Sequence, residues 1–293
     1  MKKLLILSGK GGTGKTSIAG AFMHYAKSKV MADCDVDAPN LHILKNLNKE
    51  DENYDFVGSK KAIINSDKCI GCKLCLNNCH FGAIELVDGK CQVNEFACEG
   101  CGLCNFLCPN DAITMVDDYS GVIKVYKKED SFVTAKLKMG RGNSGKLVTA
   151  VKKLAAKNAE DKELMIIDGS PGIGCPVIAS ISGVDLILAV AEPSLSGISD
   201  LKRLVKSAMI QNVKVVVCIN KYDINQEMSD MIKAYCESEG IPFVGVVPYD
   251  SQVSKAINAG RSIAEYDSPA SKAIYEIFLK VNELIKGEDL KGE

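Results

Sequence analysis

Apolar residues in this chain fall into short runs set between longer amphipathic stretches. Residues 3–8 form the first apolar run, and a helical pattern follows from Ser17 to about Lys27. Lys29 to Cys34, Glu163 to Asp168, Val213 to Ile219 and Phe243 to Val247 read as further strands. Strands alternating with helices predict a mostly parallel sheet covered by helices on both faces. Val122 to Tyr126 and Phe132 to Leu137 read as a hairpin. Near the end, Ile274, Ile277, Phe278, Val281 and Ile285 make a one-sided stripe, which predicts a core-packing helix. The alternation is interrupted, which predicts one domain made of 1–58 and 119–293 around an inserted segment, 59–118.

The 293 residues are enough to bury a real core. Hydrophobic residues make up 46% and charged residues 25%, the profile of a soluble globular protein. The formal net charge is −1 and there is no tryptophan, so neither a polyanion-binding surface nor a stacking platform is expected, and no nucleic-acid partner. No apolar run approaches the ~20 residues of a membrane helix. The segment Met1–Ser8 holds only four apolar residues in a row and runs straight into a glycine-rich loop, so it reads as a strand and not a signal peptide. The stretch Gly287-Glu288-Asp289-Leu290 is acidic, unlike a membrane-targeting helix. A cytoplasmic protein with no stable membrane anchor is expected, in a compartment where structural disulfides are rare.

Between the first strand and first helix stands Gly9-Lys10-Gly11-Gly12-Thr13-Gly14-Lys15-Thr16. Strand, glycine loop and helix form the context of a P-loop. The backbone N–H groups from Gly11 to Ser17 face phosphate oxygens at a helix N-terminus. Lys15 is expected to reach the β- and γ-phosphates, and the Thr16 hydroxyl to ligand Mg²⁺. The apolar run that ends in Asp168-Gly169-Ser170-Pro171-Gly172 is the Walker B pattern, with Asp168 in the Mg²⁺ shell. A second match, Gly140 to Lys146, ends in Leu147 where Ser or Thr must ligand the metal, so it reads as a loop and a helix start.

Lys10 makes the first loop resemble the deviant Walker A loop of the MinD, ParA, Mrp and nitrogenase iron protein superfamily of P-loop ATPases. The resemblance implies ATP/ADP and Mg²⁺ as ligands, and a nucleotide-sandwich homodimer in which Lys10 reaches the partner's phosphates. It places switch I at Asp33-Cys34-Asp35-Val36-Asp37, with Asp35 as the Mg²⁺-linked, water-positioning acid. One of these acids, Asp37 best, would otherwise cap the next helix. The resemblance further implies that Asn220 contacts the adenine and that Pro248, Tyr249 and Asp250 pack on the base.

Eight of the thirteen cysteines fall in two runs, Cys69, Cys72, Cys75, Cys79 and Cys98, Cys101, Cys104, Cys108, the second followed by Pro109. This is the spacing of bacterial two-cluster ferredoxins, in which the fourth cysteine of each run ligates the other cluster. Cys69, Cys72, Cys75 and Cys108 are thus assigned to one [4Fe–4S] cluster, and Cys98, Cys101, Cys104 and Cys79 to the second. Residues 69–88 and 98–117 match at ten of twenty positions, an internal repeat that fits such a module. Structural zinc is the competing reading, although its paired Cys-x-x-Cys motifs lack the third and fourth cysteines. His80 stands where the first run would carry proline. Of the rest, Cys34 and Cys218 read as small core residues, and Cys175 as a packed thiol at a helix start or a subunit-bridging metal ligand.

The fold class expected is α/β, a deviant-Walker P-loop NTPase with an inserted bacterial-type ferredoxin module. The whole-chain arrangement is similar to MinD-superfamily ATPases of that kind. It implies a redox-coupled ATPase acting on an unidentified redox or metalloprotein partner. Metallocofactor assembly is the alternative, weakened because Cys236 stands alone where Mrp-type carriers use a Cys-x-x-Cys pair. A MinD-like spatial organiser is the third reading.

Overall fold

The computed structural model describes residues 1–287 apart from Asn46, Asn48, Lys128, Glu129, Glu160 and Asp161, and of Lys45 the backbone only. The acidic stretch 288–290 weighed above lies outside the described residues. In chain order the first elements are β1 (Lys2–Leu7), α1 (Lys15–Tyr25), β2 (Lys29–Cys34), β3 (Glu52–Ile64), α2 (Leu74–Asn77), β4 (Ile84–Val87), β5 (Lys90–Val93), α3 (Leu103–Leu107), β6 (Ile113–Tyr126) and β7 (Ser131–Leu137). There follow α4 (Ser144–Lys157), β8 (Leu164–Gly169), α5 (Cys175–Ile181), β9 (Leu186–Ala191), α6 (Leu195–Ile210), β10 (Lys214–Asn220), α7 (Gln226–Ser238), β11 (Phe243–Val247), α8 (Ser251–Asn258) and α9 (Pro269–Lys286). The chain divides into two compact units, one of residues 1–53, 123–136 and 144–293, the other of residues 54–122 and 137–143.

The first unit is built on parallel strands. Its sheet order runs β11-β10-β9-β1-β8-β2-β7. The pairs from β11 to β7 are all parallel. β2, β8 and β9 are buried at every position. Strands covered on both faces carry near-continuous apolar runs without alternation, which is why they were legible.

Helix α9 presents Ile274, Ile277, Phe278, Val281 and Ile285 to the core. Phe278 meets Phe22 of α1 edge-on at 5.2 Å between ring centroids. Ser268 caps its start by accepting the Ser271 N–H, and Gly287 ends it in the left-handed conformation. At the C-terminus of α5, Lys152 donates to the carbonyls of Ala179, Ser180 and Ser182, so a cation satisfies the last turn. Among the described residues no helix is long and apolar enough to cross a membrane.

The second unit shows the repeat in its hydrogen bonds. Cys69 N–H donates to Asn65 O at 3.0 Å and Cys98 N–H to Asn94 O at 3.1 Å. Asn65 N–H reaches Ala112 O and Asn94 N–H reaches Ala83 O, each at 2.8 Å. Each half therefore closes on the other. Strands β4 and β5 pair antiparallel across Asp88-Gly89, both at positive φ, the two-residue turn whose twist suits a hairpin. Around these lies a small core of Ala62, Ala83, Ile84, Ile113 and several cysteines. The second glycine loop is no phosphate cradle. Arg141 ion-pairs with Glu95 and Asp118 and covers Phe96, while Leu147 is fully buried inside α4.

Candidate nucleotide site and thiol-lined cavities

In the first unit, β1 ends between β8 and β9, and its register aligns Ile6 with Asp168, which in turn aligns with Asp33 of β2. The loop from Ser8 to Gly14 thus leaves the sheet where the carboxyl ends of neighbouring strands meet, the position at which open α/β sheets hold ligands. Gly14 has φ +89°, and a Cβ there would stand 2.1 Å from Asn220 Nδ2. Glycine alone lets Asn220 donate to Thr13 O at 2.7 Å. Thr13 Oγ1 is buried and has no hydrogen-bond partner among the described residues.

Helix α1 begins at Lys15 itself. Lys15 Nζ lies 2.5 Å from Asp168 Oδ1, with the two side chains 4% and 0% exposed. Thr16 Oγ1 donates to Asp168 Oδ2 at 2.9 Å. Asp33 is also fully buried, and burial followed by the Asp168 charge pushes its carboxyl up to about 8. Burial likewise raises Asp35, with Lys15 opposing. Asp33, and not Asp37, holds the local turn, accepting the N–H groups of Asp35 at 3.1 Å and Leu41 at 3.3 Å. Asp37 is exposed and the next helical segment, the short 3₁₀ turn Ile43–Lys45, begins well beyond it, so Asp37 does not stand at a helix start.

Lys10 turns onto its own chain. It pairs with Glu192 at 2.9 Å and donates to Ser194 and Ser196. Lys221 shares Glu192 at 3.5 Å and donates to Gly12 O at 3.1 Å. Burial would raise the Glu192 carboxyl, but the two lysines outweigh it and hold it below the usual range. Sequence reasoning missed Glu192 and Lys221. The available signal was position, since Glu192 follows β9 and Lys221 follows β10 on the P-loop edge of the sheet. Gly11, Gly12 and Ser17 lie in the loop and first turn of α1. Tyr249 is exposed with its N–H on Asp223, and the Asp250 carboxylate caps α8 through Gln252 N–H while accepting Ala270 N–H.

In the second unit, two cavities are lined by thiols. One is bounded by Cys69, Cys72, Cys75 and Cys108, with Cys91 beside them. The other is bounded by Cys79, Cys98, Cys101 and Cys104. Each cavity takes three thiols from one run and the last from the other. Gly100, at φ +70°, makes the close approach possible, since a Cβ there would lie 1.9 Å from Lys60 O. Cys79 Sγ accepts Ala83 N–H at 3.4 Å and Cys108 Sγ accepts Ala112 N–H at 3.3 Å. The N–H groups of Cys91 and Gly71 hold the Cys69 thiol below its usual value, whereas burial raises Cys75 and Cys104. Among the described residues no three His, Cys, Asp or Glu converge as a single-ion site.

His80 is exposed. Cys34 and Cys218 are buried in strands. Cys175 corrects the packed-thiol expectation, because it is exposed as the first residue of α5, whose inward side is taken by Val177, Ser180 and Ile181.

The profile of the CobQ/CobB/MinD/ParA nucleotide binding domain matches residues 4–263. The uncharacterized protein MJ0578 of Methanocaldococcus jannaschii is 34% identical over 97% of each chain. An iron-sulfur cluster carrier protein of Pyrococcus furiosus is 31% identical over 51% of this chain and 55% of its own. The septum site-determining protein MinD of Pyrococcus horikoshii, solved in complex with Mg-ADP, superposes with a TM-score of 0.59 at 14% identity, covering 97% of this chain and 96% of that one. That last likeness is one of fold.

Proposed function

Because the chain belongs to the CobQ/CobB/MinD/ParA nucleotide-binding family, we propose that it is an ATP-hydrolysing iron–sulfur protein. In it a nucleotide switch is coupled to electron transfer through two [4Fe–4S] clusters held by an inserted ferredoxin module. The observation that carries this reading is the pair of cavities, to each of which the two runs contribute four thiols, three from one run and one from the other. The residues fit the groups they would hold. Four thiols around a cavity, with N–H groups donating to their sulfurs, suit a cubane. A buried, partnerless Thr13 hydroxyl in a glycine loop suits a phosphate oxygen.

Cys69, Cys72, Cys75 and Cys108 would hold one cluster, and Cys79, Cys98, Cys101 and Cys104 the other. Bound there, each cluster supplies one-electron storage at a potential set by exposure and by hydrogen bonds to its sulfurs. In the ATPase unit, nucleotide phosphate gives Lys15 a new anionic partner and frees Asp168, with Thr16, to hold Mg²⁺. Asp35 orients the attacking water. Asn220 and the Pro248–Asp250 loop face the base. Lys10, released from Glu192, reaches the phosphates of a second copy in a nucleotide-sandwich homodimer.

ATP can gate electron flow to a redox partner only by binding two states with unequal affinity. We expect MgATP affinity to differ at least about fivefold between dithionite-reduced and oxidised protein. By reciprocity the cluster potentials shift when MgATP is added. Anaerobic nucleotide titration in both redox states reads this directly, and equal affinities in the two states contradict the coupling. The relatives named as iron-sulfur cluster carriers favour a second reading, cluster assembly. Transfer of iron and sulfide to an apo-acceptor, with no redox dependence of nucleotide binding, would select it.

A further inference from the structure

An open cavity of about 470 Å³ lies in the first unit at the amino ends of the strands, away from the nucleotide site. β1 and β8 start there, at Lys2 and Leu164, and run to the P-loop and to Asp168, so about 15 Å of strand separates the two places. The wall of this cavity is aromatic. Tyr25, the last residue of α1, meets Tyr275 of α9 edge-on at 5.0 Å between ring centroids and lies 5.7 Å from Phe278. Tyr25 donates its hydroxyl to Ser271 O at 3.1 Å, which fixes the ring. Leu164 and Ile285 add buried aliphatic lining. The rest of the lining is cationic. Lys2, Lys27 and Lys286 stand there with one carboxylate, Glu163. Lys2 has a distant partner in Asp185, at 3.9 Å, whereas Lys27 and Lys286 pair with no carboxylate among the described residues. Main-chain groups beside the cavity satisfy one another, Lys2 N–H on Glu163 O at 2.8 Å and Leu164 N–H on Ser28 O at 3.2 Å, so recognition falls to side chains.

We propose that this cavity is a second ligand site, one that binds a small aromatic anion: a flat ring system carrying a carboxylate or a comparable acidic group. A concave site of several hundred Å³, mostly apolar and aromatic with a few polar groups, is the usual form of a small-molecule site. Tyr25, Tyr275 and Phe278 offer ring contacts to a flat body. The lysines set its charge. A cation would meet three ammonium groups, whereas an acidic group is attracted by all three. Their methylene stems cover the ligand's apolar body while the charged heads reach its acid. The site shares no residue with the P-loop or the thiol cavities, so it stands whether or not clusters are bound.

The test is a calorimetric titration of the full chain with indole-3-acetate in saturating MgADP, repeated with its uncharged congener indole-3-acetamide. One site per chain is expected, with the acetamide at least about fivefold weaker, the effect of one charge contact at a surface. Tyr275→Ala is expected to weaken indole-3-acetate about tenfold through lost ring contact. Lys27→Gln/Lys286→Gln is expected to weaken it about tenfold through lost charge. Both lysines are exposed, so the double variant keeps the wild-type unfolding midpoint and remains readable if Tyr275→Ala does not fold. Equal binding of the two probes overturns the anion assignment. No saturable binding below about 1 mM, or undiminished binding in both variants, overturns the site. Binding seen only when MgADP is left out places the probe at the P-loop and overturns it as well.

Discussion

Lys15→Met is expected to lower ATP turnover by about 10²–10³-fold, the cost of removing one preorganised donor from a developing anionic charge. It is also expected to weaken the fold by about 3–5 kcal/mol, because it strips one partner from a buried ion pair. Both follow from one contact. Lys15 and Asp168 are 4% and 0% exposed, and Asp33 lies in register beside Asp168, equally buried. Without the ammonium, two adjacent carboxyls remain buried in the sheet with no cation paired to them among the described residues. The double variant Lys15→Met/Asp168→Asn removes the orphaned charge and is expected to recover most of the stability and none of the turnover. Phosphate release and denaturant unfolding on the three proteins check this. Turnover within about twofold of wild type in Lys15→Met would remove the P-loop lysine from the mechanism.

The second large effect concerns iron. A single Cys→Ala change at either cavity is expected to halve the iron, from about eight to about four per chain. The informative pairing crosses the sequence. Cys108→Ala should delete the same EPR signal as Cys72→Ala, and Cys79→Ala the same as Cys101→Ala. Cys108 lies four residues from Cys104 along the chain, but it lines the cavity of Cys69, Cys72 and Cys75. If Cys108→Ala and Cys101→Ala instead delete the same signal, each run holds its own centre and the three-plus-one assignment is wrong.

Much of the first unit was readable because its strands are buried on both faces. Leu4–Leu7, Leu164–Ile167 and Leu186–Ala191 are apolar throughout and end in the groups that make the site. The long strands β3 and β6 were not readable. Glu52–Ile64 mixes exposed and buried positions, so its apolar signal is weak, and the sheet was expected to pause where the strand continues. The P-loop and the two cysteine runs are local spacings, and spacing survives in sequence. Glu192 and Cys91 are not local. Glu192 reaches Lys10 across 182 positions, and Cys91 joins Cys69 and Cys75 at the wall of one cavity because it sits on the hairpin that follows the first run. Among the three acids of 33–37, burial decided the roles. Asp33 is enclosed at the strand end, where its backbone partners are, whereas Asp37 faces water.

Native mass spectrometry of the chain purified without oxygen tests the central claim most directly. Two [4Fe–4S] clusters predict a mass above the polypeptide equal to about eight iron and eight sulfide, lost in halves by Cys72→Ala and Cys101→Ala. The mass of the polypeptide alone, or of the polypeptide with zinc and no sulfide, would contradict it and leave a nucleotide switch without a redox function.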